Sequence, residues 1–475
     1  MNLRRPVARL AALLLGLMFA MLATAAEAPV GVKIPAHQRF VLPNGLTILL
    51  VPKKDVPLIA FSGFVRGGAV ADPAAKPGVG SLVAGLLDRG AGKRSAFEFA
   101  DAVEGVGGSF NAAAGAEAIS VSGQFLARDR ALMIELLADA LMRPHFDADE
   151  FTKYRDREIE FIKSAKDSDP SQLLPIYGRA VLFGTHPFAR PQGGSERSLA
   201  AITQGDVVGY HSAYFGADRT TLVFAGDLDP KWMKKALTTA FGGWTKSKAP
   251  AAAPLAAAPR ISGRRVLLVD SPGSVQSYFW LANVGVDRRY SGRPALDLVN
   301  TLYGGRFTSI LNTELRIKSG LSYSASSGFV RGSAPGEFYI RSFTQTANTG
   351  KALDLALATL DTLKHGSIEP AMLESSRAYV LGQYPTRLET AAHWAGALAD
   401  LEFYGLGKEY IEGYGAALAK VDQAETSAVT ADAFPRPTDL AIVIIGDAEK
   451  IRADVAKFGP VTEIRISQPD FAPAN

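Results

Sequence analysis

Residues 220–230, TTLVFAGDLDP, and residues 440–450, LAIVIIGDAEK, share one form. Each is an uninterrupted apolar run that ends in Gly-Asp, at Gly226-Asp227 and Gly446-Asp447, ahead of a helical segment, so each reads as a buried strand. The 220-position displacement between Gly226 and Gly446 points to an internal repeat. Two further correspondences follow in the same order. DVVGYHSAYF (206–215) pairs with ETSAVTADAF (425–434), placing Tyr214 against Phe434. EFTKYRDREIEFI (150–162) pairs with MLESSRAYVLGQY (372–384), aligning Phe151 with Leu373 and Arg155 with Arg377. The pattern predicts two homologous domains, residues 30–246 and 263–475. Between them, 247–262 is an Ala/Pro linker in which Pro250, Pro254 and Pro259 would each break a helix.

Each domain opens with strand patterning. HQRFVLPNGLTILLVPKK (37–54) holds an Asn44-Gly45 turn between apolar runs, a hairpin signal, and PLIAFSGFVRGGAV (57–70) supplies a third strand. RRVLLVDSPGSVQSYFWLANVGV (264–286) repeats the arrangement in the second half. Helical segments are expected at 125–143, 147–165 and 350–364. Hairpin-joined strands with separate helices predict an α+β fold: two homologous domains, each a mainly antiparallel sheet with helices packed on one face.

Composition excludes several classes of function. With 475 residues, 47% apolar and 21% charged, the chain has room for more than one core. It has no Cys, which rules out disulfides, thiol nucleophiles and Cys-ligated zinc. Residues 1–26, with Arg4, Arg5 and Arg9 ahead of the apolar run Leu10–Leu22 and a small-residue end, read as a signal peptide cleaved after Ala25 or Ala26. The expected location is therefore outside the cytoplasm, in the periplasm of a Gram-negative bacterium, with no membrane association after cleavage. Without those three Arg, 48 basic residues face 47 acidic ones, and no basic field argues for a nucleic-acid partner. GVGSLV (78–83) starts like a dinucleotide loop, but Val83 takes the third glycine position. The six His are spaced at least 25 residues apart, so no two can ligate zinc from one helix turn.

KPGVGSLVAGLLDRGAG (76–92) reads as a helix entered through Pro77 and left through Gly90. Val79, Leu82, Val83, Leu86 and Leu87 form its apolar stripe, and the opposite face carries little but small side chains. Together with LPNGLTILLVP (42–52), VRGGAVAD (65–72) and VEGVGGSFNA (103–112), it resembles the insulinase/pitrilysin family, in particular the mitochondrial-processing-peptidase-like branch, over about residues 37–455. That family carries an inverted zinc motif, H-x-x-E-H, on this helix. The resemblance puts the motif positions on Ser81, Ala84 and Gly85, none of which can bind zinc or activate water. The family's third ligand, a Glu on a later helix, falls near Phe161, with Glu158 and Glu160 close by.

YGGRFTSILNTELRIKSGLSYSASSGF (303–329) is similar to the family segment bearing an Arg and a Tyr that face the substrate. Here these are Arg316 and Tyr323, with Gly320 as the helix C-cap, and Ser319 stands where relatives carry a basic residue. On spacing alone the better reading is an Arg answering a helix dipole and a strand tyrosine, and the resemblance reverses that order. Asn111 matches the strand on which relatives lay their substrate, and reads equally as a strand-end Asn. The resemblance implies a chain inactive alone: the non-catalytic, substrate-binding subunit of a heteromeric zinc metallopeptidase. No metal or other cofactor is expected in this chain. Zinc is expected in a homologous, H-x-x-E-H-bearing catalytic partner, with peptides as substrates. The alternative is a peptidase-derived scaffold or peptide-binding protein with no part in proteolysis.

Overall fold

The computed structural model describes residues 31–250, 254–366 and 368–473; the expected signal and part of the Ala/Pro linker lie outside them. Strands β1 (Gln38–Val41) and β2 (Thr47–Pro52) form the hairpin that the Asn44-Gly45 turn requires, with Gly45 at φ 98°. The Asn44 amide donates to the carbonyls of Phe241 and Trp244, at 2.8 and 3.0 Å, tying the turn to a helix end almost 200 residues away. The first sheet runs β1-β2-β6-β3-β5-β4, with β3 (Leu58–Arg66), β4 (Ser109–Ala114), β5 (Ala118–Leu126) and β6 (Thr220–Gly226). The second runs β12-β7-β11-β8-β10-β9, with β7 (Arg265–Asp270), β8 (Gln276–Val284), β9 (Ala325–Arg331), β10 (Pro335–Gln345), β11 (Ala441–Gly446) and β12 (Val461–Arg465). Five strands correspond one to one, and both sheets are mainly antiparallel. They differ at one edge, where β1 pairs antiparallel with β2 but β12 pairs parallel with β7.

Helices of eight residues or more are numbered in chain order. The first half has α1 (Val79–Leu86), α2 (Ala96–Glu104), α3 (Arg130–Met142), α4 (Ala148–Ser168), α5 (Leu174–Phe183), α6 (Gln204–Tyr214) and α7 (Pro230–Phe241). The second has α8 (Arg293–Asn300), α9 (Thr349–His365), α10 (Pro370–Gln383), α11 (Ala391–Tyr404), α12 (Gln423–Ala433) and α13 (Ala448–Val455). Helix α3 starts five residues later than the periodicity predicts, because Phe125 and Leu126 complete β5. The Tyr214–Phe434 alignment is off by one. Thr203 caps α6 and Asp422 caps α12, so the residue after each helix is Phe215 in one half and Phe434 in the other, both buried. Counted from that Phe to the Gly that ends each strand, Gly226 or Gly446, the second half then carries one residue more than the first.

Each sheet packs its own half's helices on one face, and a helix from the other half covers the second face. Helix α11 lies across β3 and β6 of the first sheet, on Leu49, Val51, Ala60, Val223 and Ala225. Its Ala395 and Ala399 are fully buried, and at its end Phe403 packs on Phe64 at 5.0 Å beneath the Arg66 guanidinium. Reciprocally, α5 lies across β8 and β11 of the second sheet, with Gly178 against the ring of Trp280. The half-buried Arg179 pairs with the buried Glu337 of β10 at 2.8 Å. The C-terminal segment returns to the first half: Asp470 accepts from Ser195 Oγ at 2.7 Å, and Phe471 packs edge-on to Tyr177. Burying a side chain the size of Leu or Phe contributes roughly 1.5–3 kcal/mol, so neither sheet can leave such a face in water.

Gly178→Ala tests this interlock. Helix propensity alone would make Ala the better residue by about 1 kcal/mol, but its Cβ would stand 2.5 Å from Cε3 of the fully buried Trp280. Overpacking costs about 1–3 kcal/mol, so a net loss of up to about 2 kcal/mol is expected in urea unfolding. Tryptophan fluorescence and far-ultraviolet dichroism should report a single shared transition; two separate ones would mean that the halves are independent.

Candidate functional site

Helix α1 begins two residues after Pro77 and has no local side-chain cap. Its first amides are satisfied instead by the buried Asp72, whose carboxylate accepts from Gly78 N at 2.7 Å and Gly80 N at 2.8 Å. Burial pushes the Asp72 carboxyl up to about 6, against the pull of those amides and of Arg190. The apolar stripe is buried as the periodicity predicts, and the helix packs on α4 and α6 beside β4.

On the other face, Ser81 is partly exposed, Ala84 is buried, and Gly85 lies directly under the phenol of Tyr154 from α4. A Cβ built on Gly85 would fall 1.9 Å from the Tyr154 hydroxyl and 2.1 Å from Cζ. Tyr154 is held between the guanidinium groups of Arg89, 4.9 Å from its ring centre, and Arg157, at 4.5 Å. Arg89 also donates from Nε to the Gly85 carbonyl at 3.0 Å, locking helix and ring together. Burial, then the Glu158 carboxylate, pushes the Tyr154 phenol up, so it sits in the cleft as a neutral plug.

Ser81, Ala84 and Gly85 offer one hydroxyl between them and do not fit a catalytic zinc, which needs about three protein ligands. The candidate third-ligand region does not repair the deficit. Phe161 is 56% exposed, Glu158 pairs with Arg157 at 3.2 Å, and Glu160 points to solvent against Lys163 at 2.7 Å. Among the described residues, no group of three His, Asp or Glu side chains is placed to hold a metal ion.

In the second half the structure brings Arg316 and Tyr323 together. Arg316 lies in a wide π-type turn, Thr313–Lys318, a form of helix that recurs at functional sites. Gly320, at φ 64°, reverses the chain after it, its amide donating to the Arg316 carbonyl at 3.2 Å. Ser319, in place of a basic residue, closes the turn: its hydroxyl donates to the Glu314 carbonyl at 2.7 Å. The Arg316 guanidinium stacks 4.4 Å from the centre of the Tyr323 ring and 4.7 Å from that of Phe307. Both rings are largely exposed, Tyr323 at 71% and Phe307 at 60%. The buried Asn312 fixes their spacing, donating to the Phe307 carbonyl at 2.7 Å and accepting from Ala325 N at the start of β9 at 3.3 Å. A cation held between two exposed rings, with its N–H edge free to donate, suits an acceptor such as a peptide carbonyl.

Asn111 lies on β4, the open edge of the first sheet, with its side chain exposed. Sequence reasoning missed Tyr154, Phe307 and Asn312. Tyr154 looks like one more aromatic on an amphipathic helix, and only the register of α4 against α1 turns it into the cleft. Phe307 had a weak signal, an aromatic in the Gly-rich turn before the Arg-bearing helix.

Comparison with known proteins gives the family and the fold. A family model described as Insulinase (Peptidase family M16) matches residues 56–190, and one described as Peptidase M16 inactive domain matches residues 201–379. A Mycobacterium tuberculosis H37Rv protein described as an uncharacterized zinc protease is 28% identical over 289 residues, 61% of this chain. The chain spans 66% of that relative's length. A Bacillus subtilis protein of similar description is 23% identical over 354 residues, 74% of this chain and 85% of its own. The crystal structure of a peptidase M16 inactive domain from Pseudomonas fluorescens superposes with a TM-score of 0.80 at 23% identity, over 86% of this chain and 98% of that one. A protease from Helicobacter pylori gives 0.79 at 21%, over 86% and 99%. At those identities the structural likeness is one of fold.

Two measurements check the first-half cleft. Gly85→Ala should destabilise the chain by about 1–3 kcal/mol through overpacking. In a Tyr154→Ala background the same change should become neutral or stabilising by up to about 1 kcal/mol, a coupling read from a double-mutant cycle. The second concerns Asp72, whose folded value of about 6 lies above the ordinary 3.8. Between those values the folded chain binds more protons than the unfolded one, so stability from this group is fully present below about pH 4 and lost as pH rises through about 6. Relative to Asp72→Asn, the wild type should therefore lose up to about 3 kcal/mol of unfolding free energy over that window. A constant difference would remove Asp72 as the titrating cap.

Proposed function

Because the chain belongs to the insulinase (M16) family, we propose that it is the zinc-free, substrate-binding member of a two-chain metallopeptidase, exported by the signal-like segment at residues 1–26. The observation that carries this reading is an asymmetry between the halves. The cleft on α1 is filled by Tyr154, whereas the half-buried Arg316 stacks on the exposed Tyr323 ring, and Asn312 ties the flanking Phe307 and Ala325 backbone together. A fold kept only as a scaffold has no need of a solvent-facing Arg held between two aromatic rings.

In this reading a homologous partner bearing H-x-x-E-H supplies the cation and the water-activating carboxylate. The present chain closes the other side of a peptide chamber. Peptide is held as an added strand on the open edge of β4 near Asn111, through backbone pairing that tolerates varied sequences. Arg316 and Tyr323 donate to a substrate carbonyl whose oxygen gains negative charge during hydrolysis. The exposed ring of Phe307 keeps the guanidinium edge turned outward. Among the described residues, no helix is long and apolar enough to cross a membrane.

Reconstitution with the catalytic partner tests the assignment. The isolated chain should hydrolyse no peptide. Arg316→Ala should lower turnover of the reconstituted pair by about 10²-fold, the scale for losing one donor to a developing oxyanion, while leaving assembly of the pair intact. Full turnover by the Arg316→Ala pair, or an unrelated assembly as the chain's companion, would favour the scaffold alternative.

A further inference from the structure

The two halves repeat more than their sheets, and the repeat places a second cleft where the first was plugged. Helix α1 packs on α4 and α6, and α8 packs on α10 and α12. The buried stripe of α1, Val79, Leu82, Val83, Leu86 and Leu87, maps onto Ala295, Leu298, Val299, Leu302 and Tyr303, all buried. In that register, Ser81, Ala84 and Gly85 correspond to Asp297, Asn300 and Thr301. The α4–α10 correspondence of Phe151 with Leu373 puts Ser376 where the first half has Tyr154. Ser376 turns its hydroxyl to the Leu298 carbonyl at 2.9 Å and fills nothing. Beside Asp297, Asn300 and Thr301 lies an open cavity of about 530 Å³, to which the facing helix contributes Tyr379 and Val380, within the range of small-molecule sites.

Its charges are not balanced internally. Arg288, Arg293, Arg331 and Arg387 line it against Asp297 and Asp400. Both acids are already engaged. Asp400 pairs with Arg288, and Asp297 takes Arg331 at 3.1 Å and the Tyr414 hydroxyl at 2.6 Å, with Arg293 Nε at 3.5 Å outside hydrogen-bond geometry. Three buried guanidinium nitrogens, Arg288 Nε, Arg293 Nε and Arg331 Nη1, have no hydrogen-bond partner among the described residues. All belong to residues lining this one cavity, and all are donors. Arg387 is exposed at its rim. Arg293 is already fixed, stacked 3.7 Å from the Tyr410 ring centre and 4.0 Å from that of Tyr414, so its fork is preorganised. Unmet buried donors with surplus positive charge call for an acceptor that is itself an anion.

We propose that this cavity binds a small molecule through a compact oxyanion, a phosphate or a carboxylate, held by Arg288, Arg293 and Arg331 and closed over by Arg387. The site is separate from the Arg316–Tyr323 pair and does not depend on the chain having a peptidase partner.

Calorimetric titration of the isolated full chain with inorganic phosphate and with succinate, against chloride at matched ionic strength, tests it. One saturable site is expected, with a Kd of about 1 mM or tighter for at least one probe. Arg331→Gln and Arg387→Gln should each weaken binding about tenfold, the scale for a charge-assisted hydrogen bond, while Arg341→Gln on β10, outside the cavity, should not. Tighter phosphate binding marks a phosphate-bearing ligand, and tighter succinate binding a carboxylate. Should Arg331→Gln fail to fold because Asp297 loses its partner, the exposed Arg387→Gln carries the test alone. No saturable binding of either probe, or binding unchanged in the folded variants, overturns the proposal.

Discussion

The rest of the structure depends on one constraint: each six-stranded sheet is apolar on both faces, and the helices of its own half cover only one. The exchange of α5 and α11 satisfies that constraint. Ala395 and Ala399 let α11 lie close on the first sheet, and Gly178 lets α5 lie close on Trp280 in the second. The cross-half ion pair of Arg179 with Glu337 and the docking of Asp470 and Phe471 then fix the relative position of the halves. Elements far apart in sequence are thereby held in one body, including the Arg316 turn and the open β4 edge.

The two halves place a helix of the same surroundings at corresponding positions, and one cleft is filled while the other is open. In the first half, the absence of a side chain at Gly85 is matched by the presence of one at Tyr154. A side chain at Gly85 would therefore meet the Tyr154 ring. In the second half Asp297, Asn300 and Thr301 line a cleft that stays polar and open, and Ser376 turns away to the Leu298 carbonyl. The facing helix presents a clamped aromatic ring, Tyr154, in the first half, whereas in the second Ser376 is withdrawn onto the Leu298 carbonyl and Tyr379 and Val380 line the cleft.

A few polar side chains set the positions of the groups that matter. Asp72 supplies the amide acceptors that α1 lacks locally, and Asn312 joins the Phe307 loop to the start of β9. Both are buried, so each also carries the cost of desolvation, which for Asp72 appears as a raised carboxyl pKa. Exposed Tyr323 and Phe307 rest on this buried support rather than on packing of their own.

Periodicity and turn chemistry in the sequence determined the hairpin at Asn44-Gly45, the paired runs TTLVFAG and AIVIIG, the duplication, the blank face of α1 and the Arg316–Gly320–Tyr323 order, because these are local patterns with a local cause. The continuous apolar character of β6 and β11 already required burial on both faces. What covers those faces was decided only by tertiary structure, since an amphipathic helix shows that it needs a partner without showing which. For the same reason Tyr154 as plug, Asn312 as clamp and the unpaired arginines beside Asp297 were not legible. Each depends on side chains tens or hundreds of residues apart meeting at distances that the folded chain alone sets.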